Sequence, residues 1–145
     1  MRRKSKDAKL TLLSQVSLLS ACSKRDLSRI ASLSDELEVP AGKVLTRQGE
    51  PGWECFVIVE GRATATMRGR RGASLLGPGS FFGEMALLDQ GPRSATVTAE
   101  TDMHLLVLDS RSFFTLLEDV PAVAHKVMRV MAERLRETER GTPAH

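Results

Sequence analysis

From Glu38 to Leu108 the chain is broken again and again at glycine turns. Short runs rich in β-formers, Glu38-Val39-Pro40, Val44-Leu45-Thr46, Cys55-Phe56-Val57-Ile58-Val59, Ala63-Thr64-Ala65-Thr66-Met67, Ser74-Leu75-Leu76, Thr96-Val97-Thr98-Ala99 and His104-Leu105-Leu106-Val107-Leu108, fill this stretch. Between them stand Ala41-Gly42, Gln48-Gly49-Glu50-Pro51-Gly52, Glu60-Gly61, Arg68 to Gly72 and Gly77-Pro78-Gly79. Close turns between short strands are the pattern of an antiparallel sandwich or barrel. No sequence repeats at a fixed period, so the similar strand lengths come from the architecture.

Helices flank this body. Leu10, Leu12, Leu13, Val16, Leu18 and Leu19 fit a short helix from Lys9 to about Cys22. Ser23-Lys24-Arg25-Asp26 reads as a capping box before a second helix that ends near Ser34. Asp109 suits an N-cap for a brief helix around Phe113 to Leu117, and Pro121 suits the first turn of a last helix reaching about Glu139. The apolar positions of that last helix, Val123, Ala124, Val127, Met128, Val130, Met131 and Leu135, are spread too widely for one contact. Part of it is expected on the β body and part over a ligand or a second subunit.

A chain of 145 residues with 41% hydrophobic and 27% charged residues is expected to fold as one domain over 1–145. Its helical lead-in spans about 9–34, its β body about 36–108 and its last helices about 110–139. A net charge of +3 neither demands nucleic acid nor excludes it. The basic start, Met1-Arg2-Arg3-Lys4, leads into no continuous apolar stretch, so no membrane segment and a cytoplasmic location are expected. Cys22 and Cys55 lie in no paired redox or metal motif and read as unrelated thiols.

The chemistry is expected between Gly77 and Thr96. There a glycine-rich turn enters a short helical segment near Gly83, whose first N–H groups have no partner inside the helix and can receive an anion. Arg93, nine positions beyond Glu84, can return to the same pocket with a fork of donors suited to phosphate, and Ser94 adds a hydroxyl. Glu84 fits an anion site if it accepts hydrogen bonds from hydroxyls beside the phosphate, as a sugar offers. Spacing alone leaves open a plainer arrangement, a Glu84–Arg93 ion pair on a surface turn with no function.

At these residues the chain resembles the cyclic nucleotide-binding domains of catabolite activator proteins and of the regulatory subunits of cyclic-AMP-dependent kinase. Phe82-Gly83-Glu84-Met85-Ala86-Leu87-Leu88 and Pro92-Arg93-Ser94-Ala95-Thr96 are similar to that family's phosphate-binding cassette, here 82–96. The resemblance implies a mainly β, α+β fold: an antiparallel eight-stranded β-roll, or jelly roll, with N-terminal helices and C-terminal hinge and lid or dimer helices. It implies that Glu84 accepts the ribose 2′-hydroxyl and Arg93 pairs with the cyclic phosphate. The N–H groups of Met85, Ala86 and Ala95 and the Ser94 hydroxyl would complete the cradle that Gly83 opens. Met131 to Thr138 resembles the end of the activators' long helix, which makes Thr138 the candidate for base recognition. Glu139 departs from that pattern, and Arg134 or Arg136 offers a purine stack instead.

The function so implied is a sensor for cyclic AMP, with cyclic GMP as a variant, that signals through movement of its C-terminal helices. Its partners would be the nucleotide, an effector protein or fused effector domain, and a second copy paired through the last helix. The five residues after Arg140 leave no room for a DNA-reading domain in this chain, so direct sequence-specific DNA binding is not expected. His104, His125 and His145 share no ligand spacing and no nucleophile motif is present, so neither a metal, a cofactor nor an enzyme activity is expected. The competing reading is a protein-interaction or dimerisation module whose pocket has degenerated. Arg68 to Arg71 reads as a solvated hairpin tip, and Trp53 as a packing residue.

Overall fold

In the computed structural model, Leu10, Thr11, Leu13, Ser14, Val16 and residues 19–139 are described, with side chains up to Glu137. Lys9, Leu12, Gln15, Ser17 and Leu18 of the expected first helix therefore lie outside the described residues. Leu13, Val16 and Leu19 are buried, linked by successive turns in which the Val16, Leu19 and Cys22 N–H groups donate three residues back. Helix α1 (Lys24–Leu33) follows behind the expected capping box: Ser23 Oγ accepts from the Asp26 N–H and Asp26 from the Ser23 N–H, each at 3.1 Å.

Eight strands then form two antiparallel sheets. One sheet joins β1 (Asp35–Val39), β8 (Met103–Asp109), β3 (Glu54–Glu60) and β6 (Phe81–Phe82) in that order. The other joins β2 (Val44–Thr46), β7 (Thr96–Ala99), β4 (Ala63–Thr66) and β5 (Ser74–Leu76). Sequence pattern explains the layering. The unbroken apolar runs of β3 and β8 are buried on both faces, as a strand between two apolar layers must be. Ala63-Thr64-Ala65-Thr66 alternates, turning its alanines inward and its threonines outward.

Two cores result. Phe56, Ile58, Ala63, Ala65, Phe82, Val97, Ala99 and Leu105 fill the space between the sheets. On the outer face of the first sheet, Cys55, Val57, Leu106 and Leu108 pack under Leu13, Ile30, Phe113, Leu116, Val123 and Val127 of the helices. Cys22 and Cys55 are free thiols, and burial pushes Cys55 up to about 12. The strand missing from the residue pattern is β6, two phenylalanines paired with Val57 and Phe56, too short to carry a period.

Three helices complete the fold: α2 (Glu84–Leu88), α3 (Ser110–Asp119) and α4 (Pro121–Glu139). Asp109 caps α3, accepting from the Ser112 N–H at 2.7 Å. At the far end of α3, Asp119 pairs with Arg29 of α1 at 2.8 Å. The part of the last helix expected on the body is there, Val123 and Val127 being buried on the core, while Met128 is 60% and Leu135 61% exposed. Trp53 departs from expectation. It is 71% exposed, because the Pro51-Gly52 turn carries it past the end of the sandwich before β3 begins, so it packs in no core.

Candidate functional site

The antiparallel registers bring three connections to one end of the sandwich: the 47–53 loop, the 67–73 hairpin tip and the 83–95 segment. Gly83 opens the last of these with φ +87°, a left-handed conformation that L side chains rarely adopt. A Cβ there would stand 2.6 Å from Arg93 Nη1 and 3.0 Å from the Glu54 carbonyl oxygen. Glycine thus lets the backbone turn and lets Arg93 pass beneath it.

Arg93 is 8% exposed, and its Nη1 donates to the carbonyls of Glu54 at 2.7 Å and Gly83 at 3.0 Å. Its guanidinium carbon lies 5.9 Å from the centre of the Phe56 ring, which stacks on Phe82. Its backbone is tied in both directions, the Gly49 N–H donating to Arg93 O at 2.9 Å and the Arg93 N–H to Glu50 O at 2.8 Å. Burial lowers the Arg93 pKa, opposed by the Glu54 carboxylate. Two of the five guanidinium N–H donors answer these carbonyls, and the others are not spent on them.

Glu84, the first residue of α2, is fully buried. Its Oε1 accepts from Nη1 of Arg134, which descends from α4. Arg134 also donates from Nη2 to the Phe81 carbonyl at 2.8 Å and lies over the Phe81 ring at 5.1 Å. Burial pulls this guanidinium down to about 10, which leaves it a cation at neutral pH. Glu84 Oε2 is different: it is buried and has no hydrogen-bond partner among the described residues. A buried acceptor left in this state costs about 1–3 kcal/mol, more when charged. The site is therefore incomplete around that oxygen.

Arg93 reaches the carbonyl of Gly83, the residue before Glu84, and no Glu84–Arg93 surface pair forms: both side chains are buried, and the cation on Glu84 is Arg134. Ala86 and Ala95 are buried, and Met85 and Ser94 half-buried. The Ala95 carbonyl accepts from Thr46 Oγ1 at 2.9 Å, fixing the segment after Arg93. Thr138 falls within the bounds of α4, but its side chain lies outside the described residues. Arg134 does not stand free to stack on a purine, being held by Glu84 and Phe81. Sequence reading missed this pair because fifty residues separate its members and no local spacing links them. It also missed Gly52, where a Cβ would strike Nε of Arg93. The Pro51-Gly52 pair marked a turn without showing what passes behind it.

Residues 36–120 match the family model described as the cyclic nucleotide-binding domain. The chain is 40% identical over 104 residues to the cyclic AMP receptor protein of Thermus thermophilus, covering 69% of this chain and 48% of that protein. It is 45% identical over 96 residues to a cyclic nucleotide-gated potassium channel of Rhizobium etli, covering 66% and 26%. The solved structure of the Thermus thermophilus catabolite activator protein superposes with a TM-score of 0.76 at 33% identity, covering 86% of this chain and 60% of that one. The chain thus spans less than half the length of these two curated relatives.

Proposed function

The chain belongs to the family of cyclic nucleotide-binding domains, and on that premise we propose that it is a cyclic AMP sensor in which α4 reads the occupancy of the site. The observation that carries this reading is the unpartnered Glu84 Oε2, a buried acceptor on the residue that follows Gly83, whose carbonyl receives Arg93. A ribose hydroxyl donates to that oxygen while Arg93, the Ser94 hydroxyl and the N–H groups of Met85, Ala86 and Ala95 take the cyclic phosphate. Gly83 gives the backbone room to do so. Because Arg134 holds the other oxygen of Glu84, a ligand on Oε2 and α4 on Oε1 share one carboxylate. The site works by binding; its groups are donors and acceptors around a ligand, with no nucleophile and base aligned among them.

Relatives attach such a domain to different outputs, a receptor in one and a channel in another, so the partner of this chain is proposed by class alone: an effector that responds to α4. Its expected setting is the cytoplasm; no helix among the described residues is long and apolar enough to cross a membrane. Met128 and Leu135, exposed and seven residues apart, repeat at the spacing of a helix-pairing seam. Pairing of two copies along α4 is the reading we propose for them, to be checked by sedimentation of the unaltered chain.

Thermal melts with cyclic AMP, cyclic GMP and AMP test the ligand. A ligand at about one hundred times its Kd stabilises the fold by about 2.7 kcal/mol, an upward shift in Tm of several degrees. Cyclic AMP is expected to give it, with cyclic GMP weaker and AMP inert, and Arg93→Ala is expected to abolish calorimetric binding. No shift with any nucleotide would favour a module that only binds proteins.

A further inference from the structure

The two ends of the sandwich carry different charge. The 40–43, 60–62 and 100–102 turns lie at the end away from the site, with Glu38, Glu60, Glu100 and Asp102 there against Lys43 and Arg62. At the site end stand Arg47, Arg93 and, on the β4–β5 hairpin tip, Arg68, Arg70 and Arg71, with Glu50, Glu54, Asp89 and, opposite Glu54 in the register, Asp109 as the opposing acids. The tip itself, Met67 to Ala73, contains no acid, and Arg68 and Arg71 are exposed. A short chain of bonds fastens the tip to the phosphate segment. The Arg68 N–H donates to Gln48 Oε1 at 2.7 Å and Arg68 Nη2 to Gln48 O at 3.3 Å. The Gln48 N–H then donates to Thr96 Oγ1 at 3.0 Å, and the next N–H, of Gly49, to Arg93 O.

We propose that Arg68 and Arg71, with Arg47, form a positive entry rim that draws an anionic ligand, a phosphodiester nucleotide, toward Arg93. The proposal rests on the functional reading above and adds to it a kinetic role for residues outside the cradle. Screening leaves charges effective over roughly 8 Å at physiological salt, and the tip is bonded to the loop that pairs with Arg93. Charges that attract an approaching ion without touching it once bound accelerate association and leave dissociation alone. The acids at the opposite end orient the molecule's field in the same sense.

Stopped-flow association of a fluorescent cyclic AMP analogue with the full chain tests this, comparing R47Q/R71Q and R47K/R71K with the unaltered protein at low and high salt. These two positions leave the Arg68–Gln48 bonds in place. At about 20 mM salt the glutamine variant is expected to associate about three- to tenfold more slowly, with dissociation unchanged, and the lysine variant to match the unaltered chain. At about 300 mM salt the differences should vanish. Equal association rates at low salt, a loss carried by faster dissociation, or a lysine variant as slow as the glutamine one would each overturn the rim. If the unaltered chain binds no analogue, the ligand reading falls and the rim with it; binding at an unchanged rate removes the rim alone.

Discussion

Arg93 is positioned by its neighbours before any ligand arrives. The carbonyls of Glu54 and Gly83 fix one terminal nitrogen, the Phe56 ring lies under the guanidinium, and the absence of a side chain at Gly52 leaves a channel for the arm. Preorganisation of this kind raises affinity by removing the cost of ordering a long side chain on binding. Gly52→Ala is therefore expected to weaken cyclic AMP binding about tenfold by displacing Arg93, with a smaller effect on the unliganded melt, since Gly52 itself has no positive φ to strain. Unchanged affinity by calorimetry would show that the arm has room to spare. The burial of Glu84 and Arg93 around Gly83 had a local signal in the sequence, one short segment where glycines, an acid and a guanidinium are close along the chain. Arg134 had none: its role exists only once α4 is folded back over the β-roll, and a purine stack was the contact expected of it.

Helix ends and strand faces followed local rules. The capping box at Ser23, the cap at Asp109 and Pro121 in the first turn of α4 all stand where side-chain chemistry placed them, because each is decided within four residues. β6 could not be read in that way, since two residues have no alternation and their pairing with Val57 and Phe56 is set by a distant strand. The cap on α3 yields a pH dependence. The Ser112 N–H holds the Asp109 carboxyl below its ordinary value of 3.8. A carboxyl whose folded pKa is the lower one adds stability above its unfolded value and loses it as pH falls through the folded value. Asp109→Ala is expected to cost about 1 kcal/mol at neutral pH, a few degrees in Tm. The gap between variant and unaltered protein should close as the pH is taken below 3.8, whereas a gap that persists there would place the loss in packing rather than in the cap.

At the scale of the molecule, Glu84 links the proposed ligand site to the last helix, and the sign of that link can be measured. Arg134 holds the carboxylate in place, which orders the acceptor that a ribose hydroxyl needs, so closure of α4 and ligand binding should favour one another. Coupling between two such events amounts to about 1–3 kcal/mol and is reciprocal: whatever factor α4 gives to affinity, the ligand gives back as protection of α4. Arg134→Gln should then weaken cyclic AMP binding about tenfold, and amide exchange across 121–137, slowed by ligand in the unaltered chain, should no longer respond. Removing one member of a buried ion pair costs about 3–5 kcal/mol, so Arg134→Lys, which keeps the charge, separates loss of coupling from loss of fold. The opposite outcome has an equally definite meaning. If Arg134→Gln binds cyclic AMP more tightly, then Arg134 competes with the ligand for Glu84, and α4 must leave the site before the nucleotide can enter rather than close with it.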